Sequence, residues 1–280
     1  MRRLLPAAAI VFSLSLPLLA HPGIDVQIAD LTERIAATPN DARLYLRRGE
    51  LYRLHRDWKE AESDLRHARK LDPELNVVDQ SLGRLMLDAE RPKEALAPLE
   101  RYLAKRPTDT RTLALLARTY MQLGRHLDAA TAYSTTIASV SDGKPRPEYY
   151  LERARALKLA GPQHVEATLK GLDEGLRELD EPITLQLLAI EVEMLHKRYD
   201  GALSRIDRII EGAARKESWF VRRGDILEKA GRFEAASAEY KKTLDAIAAL
   251  PDARSRNRAV QRLQAEAEAG LSRVSQPVEN

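Results

Sequence analysis

The sequence of 280 residues contains no cysteine, which excludes disulfide bonds, thiolate metal sites and a lipid-modified cysteine. Aromatic residues make up only 5% of the chain, and glycine occurs 13 times. Ala, Leu, Lys, Arg and Glu dominate instead, a composition typical of a helical array rather than a sheet protein. We therefore expect no β-strands.

An excess of charge of one sign is also missing. The chain has 45 Lys and Arg against 42 Asp and Glu, a formal net charge of +3. Without Arg2 and Arg3 the count becomes 43 against 42, or +1. Because nucleic-acid binding needs a basic excess to neutralise phosphates, we expect no nucleic-acid partner.

Catalytic motifs are absent from the sequence as well. There is no Gly-rich phosphate loop, no Gly-x-Ser-x-Gly and no histidine pair at metal-ligand spacing on one helical face. The least favoured alternative is a metal-dependent enzyme centred on His21, which as an N-terminal residue would offer copper an amine and an imidazole. No second ligand is identifiable, so the sequence predicts no enzyme, no cofactor and no metal site.

A long hydrophobic run occurs only at the N-terminus. Two arginines precede the apolar stretch from Leu4 to Leu19, and Ala20 offers a small residue to a signal peptidase. Residues 1–20 are therefore predicted to be a signal peptide, and the mature protein is predicted to be periplasmic or secreted. A retained anchor helix is the alternative, but two prolines and the short apolar stretch disfavour a membrane span. After cleavage we expect no stable membrane span.

What the sequence does contain is a 34-residue repeat, which is seen best in residues 42–75. Four positions recur at this spacing: Pro39, Pro73 and Pro107; Gly49, Gly83 and Ala117; Ala61, Ala95 and Ala129; Leu65, Leu99 and Tyr133. This period and pattern predict a solenoid of helix-turn-helix units.

The repeated residues resemble the tetratricopeptide repeat, with an aromatic residue, a small residue, alanines and a closing proline at the expected positions. The resemblance implies an all-α, right-handed α-solenoid over residues 21–274. About six hairpins are predicted, near 42–75, 76–109, 110–143, 147–182, 183–216 and 217–250. Capping helices are predicted at 24–37 and 252–274, followed by a disordered tail at 275–280.

The small residues of each unit are predicted to lie where its two helices approach most closely. In the sixth unit this places Gly224 against Ala236. Some units depart from the pattern: Pro98 should kink or loosen its helix. In the fifth unit Ile190 replaces the small residue. The turn-forming stretch from Ser139 to Pro147 is predicted to be a loop within one solenoid, although a second domain is possible there.

The resemblance also implies a concave groove that is lined by the first helix of each unit and receives peptides. Two positions of each first helix should face it: Leu46/Glu50, Gln80/Arg84, Ala114/Arg118, Leu151/Arg155, Leu187/Glu191 and Val221/Asp225. Arg84, Arg118 and Arg155 share one register, with Arg111 and Lys158 nearby, and these five are the predicted ligand-binding residues. Glu191, Asp225 and Glu228 are expected to make the C-terminal end of the groove acidic.

The arginine run predicts a protein or peptide partner that is acidic or bears a carboxylate, because a guanidinium bonds a carboxylate at two points. Chaperone tails are disfavoured, since Arg47, Ser81 and Leu115 stand where the resemblance would require asparagines. The sequence thus predicts a non-catalytic binding scaffold of the cell envelope. Two alternatives stay open: a structural or assembly subunit of an envelope complex, and charged residues that only keep the protein soluble.

Overall fold

The computed structural model of the protein describes residues 23–251 and 257–275. Within these ranges the chain forms fourteen α-helices and one short 3₁₀ helix, without a β-strand. The prediction of an all-α solenoid of helical hairpins is confirmed. The predicted signal peptide, His21 and residues 276–280 of the predicted tail lie outside the described ranges.

The helices follow one another with short connections. Their bounds are α1 Ile24–Ala37, α2 Ala42–His55, α3 Trp58–Leu71, α4 Val77–Asp88, α5 Pro92–Lys105, α6 Thr110–Gln122, α7 His126–Ala138, α8 Pro147–Ala160, α9 Val165–Glu178, α10 Ile183–Leu195, α11 Tyr199–Gly212, α12 Glu217–Lys229, α13 Phe233–Ala248 and α14 Arg258–Ser275. The 3₁₀ helix, Pro162–His164, occupies the insertion of the fourth unit. None of these helices is long and apolar enough to cross a membrane.

The chain divides into two compact units, Met1–Ser81 and Leu82–Asn280, and the division falls within α4. In the first unit α1 packs on α2, and Leu31, Ile35 and Leu44 form a buried cluster. Gly49 of α2 lies against α3, since a Cβ atom added to it would be 2.9 Å from Leu65 Cγ. The small residue therefore marks a close helix contact, as its spacing predicts.

In the second unit the hairpins α6–α7, α8–α9, α10–α11 and α12–α13 follow in order, and α14 packs on α13 and α12. Side chains near the starts of successive second helices pair with each other: Arg198 with Glu166, and Arg232 with Asp200, whose Nη2 and Oδ1 atoms are 2.6 Å apart. These pairs repeat because equivalent residues of neighbouring hairpins occupy equivalent places.

Helix α5 continues through the buried Pro98, so this proline does not end the helix. Two other local expectations differ from the structure. Ser275, expected in the tail, is the last residue of α14. The atoms nearest to Gly224 belong to the ring of Tyr240 rather than to Ala236. Helical side chains lean towards the N-terminus, so the ring of Tyr240 covers the turn that precedes it.

The fifth unit departs from the 34-residue register by one position. Ala189 is fully buried and provides the small residue of α10, whereas Ile190 is only half-buried. The preceding unit contains an insertion, and this one-residue offset follows it in the chain. The offset turns Ile190 towards the site described next.

Candidate functional site

The helices α8, α10 and α12, which are the first helices of three consecutive hairpins, line an open groove of about 790 Å³. This groove lies entirely within the second compact unit. Apolar side chains contribute much of its lining, among them Leu151 on α8, Leu187, Ile190 and Met194 on α10, and Ile226 on α12. The helical spacing of 187, 190 and 194 places these three residues on one face of α10.

Charged side chains line the same groove. The positive ones are Arg155 and Lys158 on α8 and Arg222 and Lys229 on α12, and the negative ones are Glu191 on α10 and Asp225 on α12. Four cations therefore face two carboxylates around an apolar surface. Such a site is complementary to a segment that bears both apolar and acidic side chains.

Two of the groove cations have carboxylate partners within the protein. Lys158 donates a hydrogen bond to Glu191, across the groove from α8 to α10. Arg155 is paired with Glu152 on its own helix. In the part of the chain that the structure describes, Arg222 and Lys229 make no ion pair. The Arg222 guanidinium carbon lies 5.7 Å from the ring centroid of Trp219.

The acidic groove residue Asp225 is fixed from outside the groove. The hydroxyl oxygen of the buried Tyr240 lies 2.9 Å from Asp225 Oδ1 and 2.7 Å from Glu228 Oε2, and these two carboxylates share its single proton as acceptors. Arg273 of α14 holds Glu228 with two further hydrogen bonds of 2.7 and 2.8 Å, and it lowers the pKa of that carboxyl. Glu228 is thus committed to an internal network and does not line the groove.

The five residues that the sequence predicts for the site are only partly brought together. Arg155 and Lys158 line the groove, whereas Arg84, Arg111 and Arg118 are not among its lining residues. Arg84 is half-buried on α4, and Arg111 and Arg118 are exposed on α6. No ion pair or side-chain hydrogen bond is formed by these last three residues within 23–251 and 257–275.

Arg118 and Arg155 nevertheless act on a common neighbour. The phenol of Tyr133 on α7 is buried, and burial raises its pKa to about 12, while the positive charges of Arg118 and Arg155 oppose this rise. Both guanidinium groups are therefore close enough to Tyr133 to act on it electrostatically.

Several groove residues were missed by sequence reasoning. Val221 was expected to face the groove but is buried in the core, and its neighbour Arg222 lines the groove instead. Lys229 and Met194 were also missed. Their common spacing could have revealed them, because 222, 225 and 229 repeat on α12 the pattern of 187, 190 and 194 on α10.

In the described ranges, no group of three or more His, Asp or Glu residues is arranged to hold a metal ion.

One sequence-family model matches part of the chain. Residues 86–156, which run from the end of α4 into α8, match the tetratricopeptide repeat. No curated protein sequence matches the chain.

Solved structures show the same fold at low sequence identity. A TPR repeat-containing protein from Cytophaga hutchinsonii has 12% identity and a TM-score of 0.63, over 86% of this chain and 94% of that chain. A tetratricopeptide repeat protein from Parabacteroides merdae has 14% identity and a TM-score of 0.52, over 88% and 92%. A chain in the structure of Naa15/Naa10 bound to HypK-THB has 19% identity and a TM-score of 0.57, over 89% of this chain and 38% of that chain.

Proposed function

We propose that this chain, which is a tetratricopeptide repeat protein, is a non-catalytic scaffold of the cell envelope that binds a protein or peptide partner in the groove between α8, α10 and α12. The observation that carries the proposal is the composition of the groove, where apolar side chains of α10 lie between cations of α8 and α12. Tetratricopeptide repeat folds are protein-interaction scaffolds, and the chain similar to this one in the Naa15/Naa10 structure belongs to an assembly of proteins.

The partner segment is proposed to be acidic or to bear a carboxylate. Four groove cations against two groove carboxylates favour a negatively charged ligand, and the apolar surface of α10 favours adjoining apolar side chains. The run of Arg84, Arg118 and Arg155 is proposed to extend the positive surface towards α4. Arg118 supports this extension, because Arg118 and Arg155 occupy equivalent positions in the first helices α6 and α8, and their charges both oppose the rise in the pKa of Tyr133.

A random dodecapeptide library displayed on phage tests the groove. Peptides selected on the wild-type protein should lose about tenfold or more in affinity when Arg155, Arg222 and Lys229 are all changed to Glu, since hydrogen bonds to charged groups each contribute about 1.5–3 kcal/mol. The change Arg84→Glu, Arg118→Glu and Arg155→Glu tests the proposed extension, and binding should weaken there as well. Raising the salt concentration should weaken binding to the wild type.

The matched control reverses three exposed cations of the second helices: Lys170 on α9, Arg208 on α11 and Lys241 on α13. It changes the net charge by the same amount, so an equal loss in this control would point to a non-specific charge effect. Wild-type affinity in the groove variant, with helical circular dichroism intact, would refute the groove and leave an assembly role for other surfaces.

Export is the second part of the proposal. It is supported by the arginines at positions 2 and 3, the apolar stretch and the small residue Ala20. N-terminal sequencing of the protein recovered from the cell envelope should begin at His21. A protein that begins at Met1 or Arg2 would remove both the envelope assignment and an N-terminal copper site at His21.

A further inference from the structure

The pair formed by Lys158 and Glu191 is the one place where the groove helices α8 and α10 are joined by an ion pair among the described residues. The Lys158 ammonium donates a hydrogen bond to Glu191 Oε1, and both residues line the groove. The side chain of Lys158 is 30% exposed and that of Glu191 is 59% exposed. The carboxylate is therefore the freer member of the pair.

The two carboxylates of the groove are held very differently. Asp225 is fixed by the hydroxyl of the buried Tyr240, which in turn is held through Glu228. Lys158 is the only partner of Glu191 within the described ranges. Glu191 can therefore leave its position by a change of side-chain rotamer, whereas a displaced Asp225 would lose its contact with the hydroxyl of a buried tyrosine.

We propose that Lys158 is the subsite for a carboxylate of the partner, and that Glu191 occupies this subsite in the free protein until the partner displaces it. This inference rests on the proposed function, since it names the ligand group and the regulation of that same groove. The displacing group would be an Asp or Glu side chain of the partner. Apolar residues beside it would then pack on Leu187, Ile190 and Met194, which line the groove on the same helix as Glu191.

The energetics of such an exchange are close to neutral. One carboxylate replaces another on the same ammonium, and exposed ion pairs contribute little to stability. The net gain then comes from the apolar contacts that follow. Glu191 has a second effect, because its negative charge repels an incoming carboxylate until it swings away. Removing this charge frees Lys158 in advance, so affinity for an acidic segment should rise about three- to tenfold.

In the experiment, dodecapeptides are selected from the phage library on the wild-type protein. The affinity of the acidic peptide that binds most tightly is then measured by fluorescence anisotropy. The same peptide with its Asp and Glu residues changed to Asn and Gln serves as the neutral probe. The Glu191→Gln variant should bind the acidic peptide about three- to tenfold more tightly than the wild type does. Its affinity for the neutral peptide should be unchanged. Lys158→Met should weaken binding of the acidic peptide. Adding Glu191→Gln to Lys158→Met should then produce no gain in affinity.

Glu234→Gln on α13 is the matched control, because it removes one exposed carboxylate away from the groove. The proposal is overturned if Glu234→Gln gives the same gain, if the gain persists in the Lys158→Met background, or if selection yields no acidic peptides. Leu187→Asp separates this failure from that of the groove itself. Loss of peptide binding in Leu187→Asp together with no effect of Glu191→Gln would retain the groove and reject only the subsite.

Discussion

Replacing Arg205 by Met is expected to lower the free energy of unfolding by about 3–5 kcal/mol, the cost of leaving a buried charge without its partner. Arg205 of α11 and Glu193 of α10 each have a side chain only 6% exposed, and Arg205 Nε lies 3.2 Å from Glu193 Oε2. Arg205 Nη1 also donates a hydrogen bond of 2.7 Å to Asp173 of α9. Arg205 thus joins three helices, and its replacement would leave the buried Glu193 carboxylate without its positively charged partner.

The double variant Arg205→Met with Glu193→Met separates lost charge pairing from lost packing. Replacing both members of a buried pair by apolar groups is often neutral or stabilising. The double variant should therefore recover most of the stability lost by the single one in urea or thermal unfolding. If the double variant is as unstable as the single variant, the unpaired charge of Glu193 is not the cause of the lost stability.

The pH dependence of this variant follows from Glu193. Burial raises the pKa of Glu193 above its usual value, and the positive charge of Arg205 opposes the rise. Without Arg205 the pKa should rise further. A carboxyl whose pKa is raised in the folded state stabilises the fold below its unfolded pKa, about 4.3, and this stability is lost as the pH rises through the folded pKa. The stability of Arg205→Met relative to the wild type should thus be reduced least in acid and most near neutral pH.

Replacing Gly224 by Leu is expected to lower the free energy of unfolding by about 1–3 kcal/mol through overpacking. A Cβ atom at this position would lie 2.7 Å from Tyr240 Cε1. The ring cannot retreat, because a Cβ atom on Gly270 of α14 would meet it at 2.5 Å, and its hydroxyl is held by Asp225 and Glu228. Helix α12 would have to move away from α13.

Gly212→Leu is the control for this prediction, since a Cβ atom on Gly212 would have no heavy atom within 4 Å. It makes the same chemical change at the last residue of helix α11 and should be nearly neutral, because the added side chain meets open space. Thermal unfolding compares the two. Equal melting temperatures would mean that Gly224 does not mark a close contact between the helices.

The helical architecture could be predicted from the sequence because the repeat constrains each element several times over. Proline at the end of each unit and small residues at fixed spacing define helix ends and helix contacts. The bounds of α1, Ile24–Ala37, are those expected for the capping helix. The prediction was weakest at Ile190, where the one-residue offset after an insertion hides the small residue, Ala189.

The groove could be predicted only in part, because the residue that faces it depends on the rotation of each helix. The rotation of α12 about its axis decides whether Val221 or Arg222 faces the groove, and the residue spacing alone does not fix this rotation. Pairing is harder still to predict, since Lys158 and Glu191 lie 33 residues apart and meet through the packing of two hairpins. Nothing in the sequence shows that Glu228 forms an ion pair with Arg273.

Site-specific photo-crosslinking tests the central claim most directly. A photoreactive phenylalanine analogue at Leu187, in the groove, and another at Leu127, an exposed apolar position on α7 outside the groove lining, are each illuminated with the selected peptide. We predict a crosslink from position 187 that unlabelled peptide competes away, and none from position 127. Crosslinking from 127 with none from 187 would contradict the proposal that the protein binds its partner in the groove.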